Sequence, residues 1–443
     1  MAGMFCIFYM LFVKKKVSPM RKNTTYLSLF SVFIVTISAI NPVYAASFED
    51  YVQKLAEHPQ AMSILSESEA TRAQAKGELG LPDPMFMIGV DNVPVSDPAF
   101  DRFLPTSKVI GFSQAIPNPV LLGAKSRKLN EVSAKQQLLA DYTIERLRYM
   151  FISKLAEYEN INTQEEVIHQ QLSYYKELEN AFKGQLESGR SVYQRFSEID
   201  VERAEAERKL NNLQAQKETI RAEFFRLVDE VPEMEVPEVQ TIVWDNNPNT
   251  LYPVLVAAKD VDISRKDIKV ADAAFLPNFG INAVYKQREE GQNNMYSGDD
   301  WFSVQAQISI PLWAAKNQVP KLQAAKARER SAIFSYDDIV GQWVKQMTAL
   351  KSASDAAAKN IKVLQDKDHS MNQKIKAVQR NYEAGTADLD SVLLAKIDRA
   401  NIQVQLADAR QEYVSRVAEY NSNIAQSNKN IITEKMPVQE NSK

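Results

Sequence analysis

The sequence is built from two similar halves, and this duplication limits its possible folds more than any other feature. Three landmarks recur in both halves at spacings of 194 to 196 positions: the pairs Pro82 and Pro277, Pro117 and Pro311, and Gly189 and Gly385. Spacing this constant indicates an internal repeat. We expect a first structural repeat over residues 46–235, a second over 236–430, and flanking segments at 1–45 and 431–443, the latter a polar C-terminal tail.

Each half predicts a helix, two strands, and a very long helix that turns at a glycine into another helix. Between Ala124 and Lys183 there is neither Gly nor Pro, and between Lys321 and Ala384 there is only Gly341. Apolar residues recur there at spacings of three and four, which indicates amphipathic helices. The long helices, about 121–187 and 315–383, match the summed length of the two helices that flank each. We therefore predict coiled-coil hairpins in which two shorter helices stack against one long antiparallel neighbour.

Four candidate strands cover about 85–95, 108–116, 278–286 and 301–310. The last alternates strictly between apolar and polar residues, which fits either a membrane barrel or a sheet lying on a helical core. Lengths near nine to eleven residues suit a tilted membrane span. Four strands are too few for a barrel, since the smallest membrane barrels have about eight, and an open edge in lipid leaves backbone groups unpaired. Several chains would have to contribute to one barrel.

Prolines mark the points where helices and strands are expected to meet. Pro82, Pro84 and Pro277 stand at helix-to-strand breaks. Pro117 and Pro311 stand at strand-to-helix exits. Proline ends a helix because it lacks the amide hydrogen, and for the same reason it is confined to positions of a strand that need no ladder partner.

The N-terminus predicts a signal peptide preceded by an N-terminal extension. Met20 to Lys22 supplies a basic start, Tyr26 to Ile40 an apolar run, and small residues before Ala46 a cleavage site. The alternative is a retained membrane anchor, for which this run of about 15 residues is short, because a span needs about 20. The only cysteine, Cys6, lies upstream of the expected cleavage site.

Composition argues against several classes of function. A formal net charge of -3 argues against nucleic acid as a partner. Three widely separated histidines (His58, His169 and His369) give no ligand set for zinc or copper, so no metal site and no cofactor are expected. Met85 and Met87 are conceivable copper ligands, but on a strand we expect them to face lipid or core. Nucleophile, phosphate-loop and zinc-protease motifs are missing from the sequence, so we expect no enzyme.

Taken together, these features resemble the TolC-like outer-membrane efflux proteins over nearly all of the chain from Phe48 to Ala425. The motifs that carry the resemblance are the LPDP and LPN breaks, the paired Ile-Pro exits, and the tips LESGR (186–190) and YEAGT (382–386). The resemblance implies a mainly α protein with a membrane β-barrel. Three copies would form one twelve-stranded barrel from four strands each, and their helices would form a tunnel in the periplasm.

The same resemblance implies partners and a location. It implies a homotrimer in the outer membrane of a Gram-negative bacterium, in contact with membrane lipid and with a periplasmic extension. A periplasmic adaptor (membrane fusion) protein and an inner-membrane pump of the resistance-nodulation-division (RND) type would complete the system. The alternative from another class is a periplasmic adaptor or structural coiled-coil protein, but adaptors have one helical hairpin, whereas this chain has two in tandem.

A narrower resemblance concerns the transported substrate. The stretches LPDPMFMIGVDNVP (81–94) and FSQAIPNP (112–119) are similar to those of outer-membrane subunits of heavy-metal cation efflux systems of the RND type. This implies a passive exit duct for heavy-metal cations. A duct for drugs or for a protein of a type I secretion system is the alternative.

In this family the hairpin tips narrow the tunnel at its periplasmic end and meet the adaptor. The resemblance implies that Gly189 and Gly385 lie at the two turns, where a left-handed conformation is often needed. The family pattern carries over at Tyr382, Gly385 and Thr386. These residues are therefore expected at the periplasmic gate.

Charged residues beside the two turns differ between the halves. Three copies of Asp388 or Asp390 could form an acidic ring that favours cations, or Asp388 could simply cap the next helix. The first tip carries Arg190, Tyr193 and Arg195 in place of acids. We expect Tyr193 or Arg190 to pack across to the neighbouring hairpin and hold the tunnel shut.

Overall fold

The computed structural model describes residues 47–189 and 193–425. The expected signal segment, residues 1–45, and the expected tail, residues 431–443, lie outside the described residues. Within the described ranges, none of the helices combines the length and apolar character that crossing a membrane requires.

The first repeat contains four helices and two strands: α1 (Phe48–Ala56), α2 (Pro59–Gly77), β1 (Met85–Asp91), β2 (Ser107–Ile116), α3 (Pro119–Glu187) and α4 (Tyr193–Val228). A capping box at Ser47 starts α1: Ser47 Oγ accepts from the amide of Asp50, whose carboxylate accepts from the amide of Ser47. With 69 residues, α3 is roughly 100 Å long. β1 is shorter than predicted because Asn92 adopts a left-handed φ of 54°.

The second repeat has the same order after a 3₁₀ turn over residues 248–250: α5 (Tyr252–Ala273), β3 (Asn278–Gln287), β4 (Trp301–Ser309), α6 (Gln318–Glu383) and α7 (Leu389–Ser422). Further 3₁₀ turns of the same length lie at residues 292–294 and 314–316. The second of these delays the start of the long helix, which begins at Gln318 and not at Ala315 as predicted. The mainly helical class with four strands is confirmed.

The strands form one antiparallel sheet in the order β1-β2-β3-β4. Met85 pairs with Ser113 in the first hairpin, and Gly280 pairs with Gln307 in the second. The second pair follows from the first if β1 is shifted by 195 positions and β2 by 194. The two β-hairpins are therefore built in the same register.

Helix α3 lies at the centre of the helical part. It packs against α2 and α4 of its own repeat and against α5 and α7 of the other. Its fully buried Phe151 meets Tyr51 and Phe224 at ring-centroid distances of 5.3 and 6.1 Å. This apolar contact holds α1, α3 and α4 together.

Candidate functional site

The pairing of the strands gathers apolar side chains on one face of the sheet. This face carries Phe86, Ile88, Val90, Ile110, Phe112, Phe279, Ile281, Ala283, Tyr285, Phe302, Val304, Ala306 and Ile308. Its side chains are largely open to the surroundings, and Ile88 is 84% exposed. Lys108 and Gln114 lie on the same face near its two ends. A continuous exposed apolar face of this kind suits contact with lipid.

The opposite face is lined mainly by small and polar side chains, with Asn282, Gln305 and Gln307 at its centre. Met85 and Met87 also lie on this face, because they alternate with Phe86 and Ile88. Met85 and Met87 therefore lie opposite the face that suits lipid, whereas the sequence had left both lipid and core open for them. Alternation in MFMIGV fixes two faces but does not say which is the lipid face, since both carry apolar residues.

Two loops close the sheet at the end away from the helices. Gln292 of the β3–β4 loop donates from its backbone amide to the carbonyl of Asp101 at 3.1 Å, and from Nε2 to the Asp101 carboxylate at 2.9 Å. Arg288 is only 7% exposed and lies over the rings of Trp301 and Tyr296, at 4.2 and 5.7 Å from their centroids. The bonds of Gln292 hold the β3–β4 loop against the β1–β2 loop, and the contacts of Arg288 order the β3–β4 loop itself.

The prolines named above lie where helices and strands meet. Pro82 and Pro84 stand between the end of α2 and the start of β1, and Pro277 stands directly before β3. Pro117 follows β2 directly, and Pro311 lies between β4 and the 3₁₀ turn that precedes α6. The carbonyl of Pro82 accepts from Gln114 Nε2 at 2.8 Å, which ties the break to β2.

Asn118 joins the two repeats where β2 leads into α3. Its Oδ1 caps α3 by accepting from the amide of Val120 at 2.9 Å, and its Nδ2 donates to the carbonyl of Ala273 at 2.9 Å. Its backbone amide donates to Asn278 Oδ1 at 3.0 Å. Sequence analysis missed this buried residue, although an Asn before Pro at a helix start is a known capping signal.

Both hairpin tips turn at a glycine with a left-handed backbone. Gly189 has a φ of 85° and Gly385 a φ of 73°. At the second tip, the amide of Gly385 donates to the carbonyl of Tyr382 at 2.9 Å, and the amide of Thr386 donates to that of Asn381 at 2.8 Å. This pair of bonds is a Schellman motif, which ends α6. Arg190 lies outside the described residues.

An ion pair connects the two tips. Arg195 of α4 donates from Nη1 to Asp390 of α7 at 2.5 Å, and its guanidinium lies 5.8 Å from the ring centroid of Phe182. Asp390 is only 5% exposed, and its other oxygen accepts from the amide of Ser391. The bond between residues 195 positions apart gave no signal in the sequence. It links the first hairpin directly to the second.

The other predicted tip residues lie more openly. Tyr193 is 71% exposed, and the contact to the second hairpin of the chain comes from Arg195 instead. Asp388 is exposed at the N-cap position of α7, and among the described residues its side chain makes no capping hydrogen bond. The Asp388 carboxylate is therefore open to solvent, whereas that of Asp390 is buried.

Beyond the tips, α3 and α7 meet along a line of hydrogen bonds between polar side chains. Gln171 donates to Asn401 at 2.9 Å, Asn160 donates to Asp408 at 2.9 Å, and Ser153 and Ser415 lie 2.8 Å apart. The α3–α4 contact within the first repeat is mainly apolar instead. We call this line of hydrogen bonds between the two hairpins the polar seam; apolar contacts flank it, among them those of Ile152 with Val417 and Ala418.

Comparison with known proteins gives the family. The family described as "Outer membrane efflux protein" matches residues 252–422, which span α5 to α7. The second half of this chain thus matches the outer membrane efflux protein family. This match fits the exposed apolar face of the sheet, which in an outer membrane can contact lipid.

Two proteins similar in sequence to this chain come from Pseudomonas aeruginosa. The alkaline protease secretion protein AprF is 23% identical over 156 residues, which are 35% of this chain and 32% of that protein. The outer membrane protein OprJ is 23% identical over 134 residues, 30% of this chain and 28% of its own. The alignments thus span about a third of the length of these relatives.

The fold likeness extends over most of the chain. The crystal structure of the outer membrane protein VceC from Vibrio cholerae matches with a TM-score of 0.68 at 15% identity. The match covers 85% of this chain and 96% of VceC. The long helices and the four-stranded sheet therefore have the fold of VceC.

Proposed function

We propose that this protein is the exit duct of a tripartite efflux system and passively conducts substrates from the periplasm to the outside. The observation that carries this proposal is the sheet, with one apolar face suited to lipid and one polar face suited to a wet lumen. Within the described residues β1 and β4 each have a single neighbouring strand. Because a free edge is costly in lipid, we propose a homotrimer whose twelve strands close a barrel.

The partners in this proposal are a periplasmic adaptor (membrane fusion) protein at the hairpin tips and an inner-membrane pump of the RND type. The LPDP motif between α2 and β1 supports heavy-metal cations as the substrate. The similarity to AprF, a protein named for alkaline protease secretion, supports a secreted protein as the second candidate substrate.

The gate in this proposal is the ion pair between Arg195 and Asp390. A buried carboxylate that loses its partner is costly, so the pair favours the arrangement in which α7 lies against α4. When Arg195 withdraws, Asp390 gains solvent, and with Asp388 from three copies it forms an acidic ring that favours cations. Gly189 and Gly385 fix the turns that carry these side chains, and Tyr193, Tyr382 and Thr386 flank them.

The polar seam between α3 and α7 supports a movable second hairpin. Side-chain amides and hydroxyls can exchange partners along such a seam after a small shift, whereas tightly packed apolar side chains resist one. We therefore assign the moving part to α7 and the fixed part to the α3–α4 hairpin.

Single-channel recording in planar bilayers tests the duct and its gate. We expect the wild-type protein to insert as a channel of low conductance and Arg195→Ala to raise the conductance several-fold. Arg203→Ala is the matched control, because Arg203 pairs with Glu179 and Asp200 inside the first hairpin. Equal conductance in Arg195→Ala and Arg203→Ala would exclude the proposed gate, and no conductance from any variant would exclude the duct.

Cation selectivity tests the acidic ring separately. In the Arg195→Ala background, we expect Asp388→Asn together with Asp390→Asn to lower the ratio of cation to anion permeability several-fold. An unchanged reversal potential in a salt gradient would exclude the ring while leaving the duct in place.

A further inference from the structure

The polar face of the sheet carries two thioether side chains that packing within the chain does not explain. Met85 and Met87 lie on this face and are 67% and 54% exposed. Their partners on β2 are small, since Met85 pairs with Ser113 and Met87 with Gly111. An apolar side chain stabilises a fold when it is buried, and neither methionine is buried here. The two sulfurs are instead presented to whatever fills the space beside this face.

The backbone brings the two sulfurs within reach of a single ion. Residues two apart on a strand share a face, and their Cα atoms lie about 6.6 Å from each other. A methionine side chain has three rotatable bonds, so the two Sδ atoms can approach one ion from either side. The absence of a side chain at Gly111 leaves room for this movement, since a Cβ there would lie 3.0 Å from Cε of Met87.

The chemistry of this face favours soft cations over hard ones. Thioether sulfur is an uncharged, soft ligand that suits Cu(I), whereas carboxylate and carbonyl oxygens suit Mg²⁺. Of the residues that β1 to β4 place on the polar face, Asp91 and Lys286 are the charged ones, and they are bonded to each other. Within residues 47–189 and 193–425, no three side chains of His, Cys, Asp or Glu are placed to hold one metal ion.

The fold does not require methionine at these two places. The spacing between Pro82 and Pro277 aligns Met85 with Gly280 and Met87 with Asn282. β3 therefore forms the same kind of strand, on the same face of the sheet, without a sulfur. The pair of thioethers is a feature of the first repeat alone, which supports a role in recognition over a role in folding.

We propose that Met85 and Met87 form a contact site for soft monovalent metal cations, Cu(I) or Ag(I), on the wall of the duct. The ion is cargo in transit, held by two uncharged sulfurs and then released, because conduction requires binding weak enough for the ion to leave. This inference rests on the proposed duct and narrows its heavy-metal substrates to soft monovalent cations. β1 begins at Met85, so the site lies where the helices give way to the strands.

Equilibrium dialysis of the detergent-extracted oligomer against silver nitrate in chloride-free buffer tests the site. With bound silver measured by mass spectrometry, we expect wild type to bind about one Ag(I) ion per chain, because two sulfurs share one ion. Met85→Leu together with Met87→Leu should reduce bound silver to background, since leucine has a similar volume but no sulfur. The only cysteine, Cys6, lies upstream of the expected cleavage site, so we expect no competing thiol.

Competing cations test the chemical class of the ligand. Excess Cu(I), kept reduced with ascorbate, should displace the bound silver, whereas Mg²⁺ at the same concentration should not. Equal displacement by both cations would overturn the assignment to soft cations.

A matched control exchanges two neighbouring residues. Met87→Ile with Ile88→Met keeps the composition of the chain but moves one sulfur to the apolar face, because successive residues of a strand point to opposite faces. This variant should bind as little silver as the double leucine variant. Met295→Leu removes an exposed methionine of the β3–β4 loop and should bind as much silver as wild type. Binding by the exchanged variant at the wild-type level would overturn the two-sulfur site.

Oxidation of methionine to its sulfoxide provides a second readout that needs no variant. Hydrogen peroxide oxidises exposed thioethers, and a sulfur whose lone pair binds a metal reacts more slowly. Ag(I) should therefore slow the oxidation of Met85 and Met87 several-fold, as followed by mass spectrometry of peptides. The exposed Met62 and Met295 should keep their rates. Equal slowing at all four positions would overturn the site.

The outcomes separate this inference from the proposed function. A wild-type protein that conducts in planar bilayers but binds no silver through Met85 and Met87 would overturn the site and leave the duct intact. A wild-type protein that binds silver there but never conducts would overturn the duct and, with it, the role of the site in transport.

Discussion

Helices α3 and α6 hold the same place in the two repeats and have nearly the same length, 69 and 66 residues, yet their surroundings differ. α3 packs against helices of both repeats, whereas the main helical neighbours of α6 are α5 and α7 of its own repeat. Phe151 of α3 is fully buried, and Phe334 of α6 is 71% exposed. A shared sequence pattern has thus produced one central helix and one peripheral helix.

This difference shows that a single copy of the duplicated chain can cover the long helix of only one of its two repeats with neighbouring helices. The neighbours that α5 and α7 provide to α3 have counterparts in α2 and α4, and α6 can obtain these only from another copy. The same holds for the sheet, where β2 is covered by β3 while β4 is open. We therefore interpret the exposed flank of α6 as an assembly surface, in line with the proposed trimer.

The largest expected effect comes from a substitution in the apolar core around α3. Phe151→Ala removes a ring packed among Tyr51 and Phe224, and we expect a loss of about 3–5 kcal/mol in the free energy of unfolding. Phe334→Ala is the matched control on α6 and should leave protomer folding nearly unchanged while weakening the oligomer. Urea unfolding followed by circular dichroism, with oligomer dissociation on gels, measures both. Equal destabilisation of protomer folding would contradict the comparison.

A smaller effect is expected where strands meet helices. Asn118→Ala removes a helix cap and a buried hydrogen bond to the carbonyl of Ala273, and we expect a loss of about 1–3 kcal/mol. Leu312→Asn places an asparagine at the equivalent position of the second repeat, and we expect it to stabilise the assembled protein by up to about 1 kcal/mol. Melting temperatures of detergent-solubilised oligomers provide the test. A loss from Leu312→Asn as large as that from Asn118→Ala would show that the two positions are not equivalent.

Two glycines test the comparison of the repeats further: one lies in the middle of α6, and the other lies in the turn that follows it. Gly385→Ala places a Cβ at a φ of 73°, and we expect a cost of roughly 1–2 kcal/mol. Gly341 lies in the middle of α6 with open space around its Cα, so Gly341→Ala should stabilise the helix by roughly 0.5–1 kcal/mol. Thermal unfolding of both variants tests this. A cost at Gly341 would show that this flank of α6 is more tightly packed in the assembly than in the single chain.

The smallest expected effect depends on pH and arises from the burial of α3. Burial raises the pKa of Glu145 above its ordinary value of 4.5, with Arg148 opposing the shift and Asp141 adding to it. A raised pKa in the folded state means that this group favours folding below pH 4.5 and that the contribution is lost as the pH rises through the folded pKa. The Glu145→Gln variant should therefore have a higher free energy of unfolding than wild type above the folded-state pKa of Glu145. Below pH 4.5 the two proteins should be equally stable.

Thermal melts of wild type and Glu145→Gln from about pH 4 to about pH 8 measure this difference in stability, because carboxyl groups lose their protons within that interval. Asp337→Asn on the exposed side of α6 controls for the removal of a carboxylate. A Glu145→Gln variant that gains nothing at neutral pH would contradict the assignment of a desolvated carboxyl to α3.

Periodicity and the placement of glycine and proline were enough to predict the order of elements, the long helices and the four strands. Contacts between residues far apart in the chain were not predictable in this way. Local sequence patterns do not encode how the hairpins pack. They therefore could not predict the bond from Arg195 to Asp390 or the one from Asn118 to Ala273. The face on which Met87 lies was left open for a different reason: β1 carries apolar residues on both sides, and only its pairing with β2 shows which of them continue the apolar face.

The central claim is that this chain is one part of a closed oligomer whose open edges and exposed α6 flank are covered by further copies. Native mass spectrometry of the protein extracted from the outer membrane in mild detergent tests it most directly. The account predicts one dominant species of three copies, which would close a barrel of twelve strands. A dominant monomer or dimer under the same conditions would contradict it.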